Sequence, residues 1–334
     1  MSEKTVLVTG GAGYIGSHVV KQLRAAGEPV VVLDNLSKGY REAVRGAELV
    51  VGDTGDQTLV RDLLQRYDVG SVMHFAALTI VPESVEKPLL YYSNNTAHTR
   101  NLIECCTEAG VEHFIFSSTA AVYGMPDDGR CREDSPLAPI NPYGMSKLMS
   151  ERMLADTCAV NPLRHVTLRY FNVGGSDPDG EIGQSTPEAT LLIKVAAEVA
   201  TGRREALKIF GTDYPTEDGT GVRDYIHVSD LANAHILALE YLRRGGGSTT
   251  LNCGYGHGFS VREVADAVAR IHGAPIKVEE APRRAGDPPM LIADAGRLRT
   301  LLNWEPRYDD LDFIVRTALE WESKIARGEV YGTP

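Results

Sequence analysis

Long hydrophobic runs are missing from this 334-residue chain. No apolar stretch approaches the roughly 20 residues that a membrane-spanning helix needs. Residues 1–30 also lack the charged, apolar and cleavage-site sequence of a secretory leader. There is no CxxC pair: the five cysteines, Cys105, Cys106, Cys131, Cys158 and Cys253, are odd in number and read as free thiols in a reducing cytoplasm. Nine histidines form no HExxH or comparable pattern, so no metal site is expected. Positive charge is scarce, with 34 lysines and arginines against 45 acidic residues, and the net charge of −11 argues against a nucleic-acid surface, which would need a basic stripe. The remaining composition, 43% apolar and 24% charged, is that of an ordinary globular protein, with neither membrane nor nucleic acid as partner.

What the chain does have is alternation. Strand patterns at 5–9, 29–34, 48–52, 71–75, 113–117 and 165–169 are separated by helical patterns near 17–26, 57–67, 88–109 and 143–156. Short connections between such elements predict an α/β fold, with a doubly wound parallel sheet of Rossmann type covered by helices. After Arg169 the pattern loosens into glycine-rich loops around helices near 188–201 and 229–242. A smaller irregular α/β C-terminal substrate lobe is therefore expected. The predicted division is a dinucleotide domain at 1–172, to which roughly 224–250 returns, and a second lobe at 173–223 and 251–334.

Ligands on such sheets bind beyond the carboxyl ends of the strands. The first strand runs directly into Gly10-Gly-Ala-Gly-Tyr-Ile-Gly16. Gly10, Gly13 and Gly16 fit one phosphate-loop register; Gly11, Gly13 and Gly16 fit another. In either, backbone N–H groups and the following helix end can meet a pyrophosphate. Asp34 closes the second strand, where a carboxylate accepts from adenosine ribose hydroxyls and favours NAD over NADP. Lys38 and Arg41 stand near enough in sequence to serve a 2′-phosphate instead. Asp53 either faces the adenine or caps a turn. Ala76 and Ala77 end the fourth strand and leave room for a flat ligand against backbone.

Tyr143-Gly-Met-Ser-Lys147 places a phenol and an ammonium on one helical face. Lowering a tyrosine by about three pKa units, towards neutrality, takes roughly 4 kcal/mol. One positive charge about 4 Å away supplies that much at an effective dielectric near 20. Lys147 can thus make Tyr143 a base towards a sugar or alcohol hydroxyl. Ser117, Ser118 and Thr119 are expected just past the fifth strand, and spacing does not say which hydroxyl joins Tyr143. Arg223, Arg283 and Arg284 are candidate phosphate forks, with Asp287 beside them in sequence.

Together, these stretches resemble the extended short-chain dehydrogenase/reductases and, within them, the UDP-glucose 4-epimerase family. The similarity runs nearly end to end, through Val8–His18, Leu33–Leu36, His74–Ala77, Glu83–Leu89, Tyr91–Asn95, Phe116–Gly124, Pro142–Lys147, Arg169–Asn172, Gly211–His227 and Ala281–Asp287. The Gly211–His227 run is the most family-specific. The resemblance implies a tightly held NAD and inversion of a UDP-hexose 4-hydroxyl, UDP-galactose or UDP-glucose, through a 4-keto sugar. Tyr143 would be the base, Lys147 its tuning group and Thr119 the hydroxyl partner. Tyr14, Ile15, Asn35, Asp53, Thr54 and Phe75 would join the glycines, Asp34 and the two alanines around NAD. Asn94, Ser117, Tyr170 and Phe171 would complete that pocket. Asn172, Phe210, Arg223, Arg284 and Asp287 would hold UDP, with Leu191 and Leu291 also facing substrate.

The chain departs from the family pattern at Thr79, Pro82, Leu191 and Lys194, where lysine, glycine, asparagine or histidine, and proline are usual. Leu291 is intermediate in size where a bulky tyrosine restricts some members to unacetylated sugars. Alternatives are a 4-epimerase of another UDP-sugar (an N-acetylhexosamine or a pentose) and a non-catalytic NAD(P) sensor. A 4,6-dehydratase is disfavoured, because Ser118-Thr119-Ala120 offers none of the acidic residues that group carries there. A homodimer through the helices near 88–109 and 143–156 is also implied.

Overall fold

The computed structural model describes residues 4–186, 188–284 and 286–331. Two compact units emerge: residues 1–122, 139–169 and 232–251, and residues 123–138, 170–231 and 252–334. In chain order the strands of the first unit are β1 (Thr5–Thr9), β2 (Val30–Asp34), β3 (Glu48–Val51), β4 (Val69–His74) and β5 (His113–Thr119). Its helices up to that point are α1 (Tyr14–Ala25), α2 (Gln57–Arg66), α3 (Val81–Glu86), α4 (Pro88–Tyr91) and α5 (His98–Glu108).

A short β6 (Arg130–Cys131) precedes α6 (Pro142–Val160) and β7 (Arg164–Tyr170). There follow β8 (Asn172–Gly174), α7 (Leu192–Ala200), β9 (Leu207–Phe210), β10 (Val222–Arg223), β11 (Tyr225–His227), α8 (Val228–Arg243) and β12 (Thr249–Cys253). The chain finishes with β13 (Phe259–Ser260), α9 (Val261–His272), β14 (Val278–Ala281), β15 (Met290–Ala293), α10 (Gly296–Leu302) and α11 (Leu311–Ala326). Among the described residues no helix is long and apolar enough to cross a membrane.

The main sheet has seven strands in the order β12-β7-β5-β4-β1-β2-β3, and every pairing from β3 through β5 is parallel. Strands β4 and β5 are buried along their whole length, as parallel strands covered on both faces must be. Leu7, Leu33, Val72, Phe114 and Phe116 from the strands meet Leu63 of α2 and Leu102 of α5 in one core. Successive strands step away from β1 in both directions, so the order reverses between β1 and β4. That switch point opens a crevice at the carboxyl ends of the strands.

Two expectations are corrected. Residues 123–138 pack in the second unit because β6 pairs with β15, Arg130 opposite Ile292 and Cys131 opposite Ala293. The single helix expected over 88–109 is interrupted: α4 passes into a π-helical segment, Tyr92–Ala97, before α5. Its Ser-Asn-Asn-Thr run consists of weak helix formers, and π-turns gather at functional sites.

In the second unit, four strands pair in the order β13-β10-β15-β6, and the pairs β11-β8 and β14-β9 stand as small ribbons. Lys194, where proline is usual in the resembling family, is buried in α7 and bridges to Glu198 at 3.3 Å and to Glu322 of α11. Arg203 also reaches Glu322, and Arg204 holds Glu198 at 2.8 Å. Two carboxylates are thus shared by three cations, the condition under which buried charge is tolerated. Pro82 sits in the first turn of α3, where no helical donor is lost.

Candidate active site

The glycine loop resolves into three tasks. Gly10 adopts φ +70°, and a Cβ there would lie 2.5 Å from Ala76 N, so β1 and β4 deliver their ends into close backbone contact. Gly13 is the N-cap of α1, with only the Gly10 carbonyl near its missing side chain. At Gly16 a Cβ would come within 2.3 Å of the Gly10 oxygen, which brings the first turn of α1 hard against the loop. The helix begins at Tyr14 rather than Ser17, so Tyr14 and Ile15 belong to that turn.

An open groove lies over the switch point. Gly10, Gly13, Asp34, Asn35, Asp53 and Thr54 line one part of it, and Phe75, Ala76, Ala77 and Asn94 another. Asp34 is 8% exposed, and burial raises its carboxyl pKa against the pull of two backbone N–H groups. Those donors are Ala12, 2.9 Å from Oδ2, and Leu36, 2.8 Å from Oδ1. Each oxygen keeps a second lone pair. Lys38 also lines the groove, at its exposed rim; Arg41 lies on the short 3-10 helix Arg41–Val44.

Asp53 holds a turn and also borders the groove. It accepts from Gly55 N at 2.7 Å and Asn35 Nδ2 at 2.9 Å, with His98 Nδ1 also 2.9 Å away. In the π-segment the Asn95 side chain holds the Leu78 backbone at both N–H and C=O, 2.9 Å each, and donates to Ser146 of α6 at 3.1 Å. The groove wall is thereby tied to the helix that carries Tyr143. Asn95 carried no sequence signal beyond its place beside Asn94.

The hydroxyls at 117–119 lie within β5, not beyond it. Strand alternation sends Ser118 to the face opposite Ser117 and Thr119. Ser118 donates to Glu151 of α6, whose carboxylate also takes Arg169 Nε at 3.0 Å and Nη2 at 2.6 Å. Thr119 accepts from Ala121 N at 3.1 Å and bonds the Tyr143 hydroxyl. Thr119, not Ser118, is therefore the partner of the phenol.

Helix α6 starts with Asn141 accepting from Gly144 N at 2.8 Å and with Pro142 in its first turn. A Cβ at Gly144 would be 2.6 Å from the Ala121 oxygen. Glycine in the Tyr-Gly-Met-Ser-Lys motif thus lets the helix start touch the chain just beyond β5, and this contact sets Tyr143 against Thr119.

Lys147 is buried and donates to the Ser117 carbonyl at 2.9 Å, with the Phe116 ring centroid 5.0 Å from Nζ. Burial lowers it to about 8, against the attraction of Glu151. Burial raises the Tyr143 phenol, and the Thr119 hydrogen bond only partly offsets this. The expected direct lowering of Tyr143 by Lys147 is not what dominates here: the ammonium is anchored to a carbonyl, and desolvation of the phenol is the larger influence. Below this pair, His74 is held near 3 by burial and by the Lys147 charge. Its two ring nitrogens meet Thr9 at 2.6 Å and Thr99 at 2.8 Å. Thr99 donates to the Asn95 carbonyl, so a neutral His74 protonated on Nε2 satisfies every partner.

In the second unit Arg223 bridges to Asp287 and pairs in register with Leu291. Arg284 stacks 3.7 Å from the Phe210 ring centroid, and burial lowers its pKa. Arg283, exposed like Arg284, bonds Asp213 at 2.6 Å and covers Tyr214. Leu191 is the N-cap of α7, Tyr170 ends β7, and Asn172 pairs with Tyr225 at the start of β8. Phe171, between those two strands, is buried. Ala285, inside the Ala281–Asp287 motif, lies outside the described residues.

A switch-point groove lined by glycines and an acidic strand end, tied to a buried Tyr-x-x-x-Lys pair, defines a dinucleotide-dependent enzyme of the short-chain dehydrogenase/reductase class. The model of the NAD dependent epimerase/dehydratase family matches residues 6–254, and the chain belongs to that family. It is 57% identical over 321 residues to a UDP-glucose 4-epimerase of Azospirillum brasilense, covering 96% of this chain and 92% of that protein. The crystal structure of UDP-glucose 4-epimerase from Brucella ovis in complex with NAD superposes with a TM-score of 0.94 at 45% identity, covering 96% of this chain and 99% of that one. A UDP-Glc/GlcNAc 4-epimerase from Campylobacter jejuni is 51% identical with a TM-score of 0.85, covering 96% and 100%.

Proposed function

We propose that the chain is an NAD-dependent UDP-hexose 4-epimerase acting on UDP-glucose and UDP-galactose. The observation that carries this is the Tyr143–Thr119–Lys147 arrangement at the end of β5, tied through Asn95 to the wall of a groove whose glycines leave backbone open to a pyrophosphate. The groove fits NAD on its own chemistry. Gly10 and Gly13 keep side chains out of the phosphate path, the α1 N-terminus presents its positive dipole end, and Asp34 retains lone pairs for ribose hydroxyls. Bound there, NAD supplies a reversible hydride acceptor. Tyr143 takes the proton of the sugar 4-hydroxyl as the 4-keto sugar forms, and returns it once the stereocentre has inverted. Thr119 hydrogen-bonds the reacting oxygens, and Lys147 holds positive charge beside them.

The first unit is the NAD-binding part in this reading, and the second holds the UDP moiety through Arg223, Arg284 and Phe210. Mixing the purified protein with UDP-galactose, without added cofactor, tests it: chromatography should show UDP-glucose accumulating. No conversion, even with NAD added, overturns the UDP-hexose assignment. The C. jejuni relative and an intermediate-sized Leu291 beside Arg223 favour a second reading, in which acetamido sugars are also accepted. UDP-N-acetylgalactosamine in the same assay decides it.

A homodimer is proposed from the surface of the first unit. Val85 (61% exposed), Leu89 (80%) and Leu90 (45%) on α3 and α4 lie beside α6, where Met149 is also exposed. Such apolar surface marks an association face. Leu89→Glu is expected to convert a dimer to a monomer in light scattering, and a monomeric wild-type protein at micromolar concentration would count against the assembly. A reducing cytoplasmic location suits the five cysteines, all of them free.

A further inference from the structure

Tyr214 follows β9 in the loop that begins at Gly211. Its ring packs on the Gly211 backbone, which adopts φ +85°; a Cβ at that glycine would meet the ring at 2.6 Å. Its own N–H donates to the Gly219 carbonyl at 2.9 Å, and the Arg283 guanidinium lies 4.3 Å from the ring centroid. The residue is 6% exposed. Everything about the ring is fixed, yet the enclosed hydroxyl has no hydrogen-bond partner among the described residues.

A buried hydroxyl without a partner is unfavourable, and phenylalanine would fill the same space without that penalty. The hydroxyl is therefore more costly than useful to the fold and needs a partner from elsewhere. Its charged surroundings indicate which. After burial, the strongest influences on the phenol are Asp287 and Arg223, then Arg283 and Asp213. Tyr214 thus stands beside the Arg223–Asp287 pair, whose arginine is proposed to hold the nucleotide, and in the same loop region as Phe210, on which Arg284 stacks.

We propose that Tyr214 is a further substrate-binding residue, its phenolic O–H donating to an oxygen of the bound nucleotide diphosphate. This inference rests on the UDP assignment of Arg223 and Arg284. A neutral donor there adds a directional hydrogen bond to two cationic forks, and it discriminates against ligands lacking an acceptor at that point.

The test is titration calorimetry of UDP against the purified holoenzyme and its Tyr214→Phe variant, with a thermal melt of each. About a tenfold rise in the UDP Kd is expected, as for loss of one hydrogen bond to a charged acceptor, with a matching rise in KM. The melting temperature without UDP should be equal or higher, because phenylalanine removes an unpaired group. UDP binding by the variant as tight as by wild type overturns the inference while leaving the UDP assignment standing. A lowered melting temperature with unchanged UDP affinity also overturns it, by giving the hydroxyl a purely structural role. Wild-type protein that binds no UDP overturns both.

Discussion

Tyr143→Phe should lower the epimerisation rate by about 10²- to 10⁴-fold, the usual contribution of a positioned acid–base group, while the protein keeps its NAD. The ring is 7% exposed and packed, so phenylalanine preserves the shape and removes only the oxygen. Thr119 keeps its hydrogen bond from Ala121 N at 3.1 Å, so β5 has no reason to move. The two quantities to measure are conversion of UDP-galactose by chromatography and NAD released on denaturation. Wild-type turnover in the variant would eliminate Tyr143 as the base. Loss of activity together with NAD would instead show that the phenol serves the cofactor pocket. Thr119→Val should give a smaller loss, because it removes a hydrogen bond to the reacting oxygen and leaves the proton acceptor in place.

The second large effect is expected at Gly16. Valine there places a Cβ 2.3 Å from the Gly10 oxygen and 2.9 Å from the Gly11 Cα. Both neighbours are backbone, so the first turn of α1 must withdraw from the loop. Overpacking of this kind costs about 1–3 kcal/mol. The displaced turn also carries the N–H groups that a pyrophosphate would meet, so Gly16→Val is expected to be purified without NAD and inactive. Gly247→Ala is the control: nothing lies within 4 Å of its missing side chain, and it should leave melting temperature and NAD content unchanged. If Gly16→Val retained NAD at the wild-type melting temperature, the close loop–helix contact would not be what holds the cofactor site together.

The groove and the pairing of Tyr143 with Lys147 on one helix were largely legible in the sequence because both depend on local order. A strand, a glycine loop and a helix follow one another directly, and Tyr143 and Lys147 share a helical face whatever surrounds them. Less legible was everything set by elements distant in the chain. Thr119 rather than Ser118 meets the phenol because β5 runs through residue 119, which sends alternate hydroxyls to opposite faces. A one-residue uncertainty in where a strand ends leaves that choice open. The π-segment at Tyr92–Ala97 likewise hid inside a continuous helical pattern, although it carries Asn94 to the groove and Asn95 to Ser146.

Alternation of apolar runs with amphipathic helices determined the parallel sheet, because buried strands need apolar side chains and their crossovers need helices. Glycine spacing and the acidic strand end brought Gly10, Gly13 and Asp34 to one groove at the carboxyl ends of the strands. The tertiary structure alone decided the charge states. Burial, not Lys147, dominates the Tyr143 phenol, and burial brings Lys147 itself to about 8. It also turned Lys194, a departure from the family pattern, into the buried link between α7 and α11. Solvent exclusion and the partners of a charge come from segments far apart in the chain, so they exist only once those segments have packed.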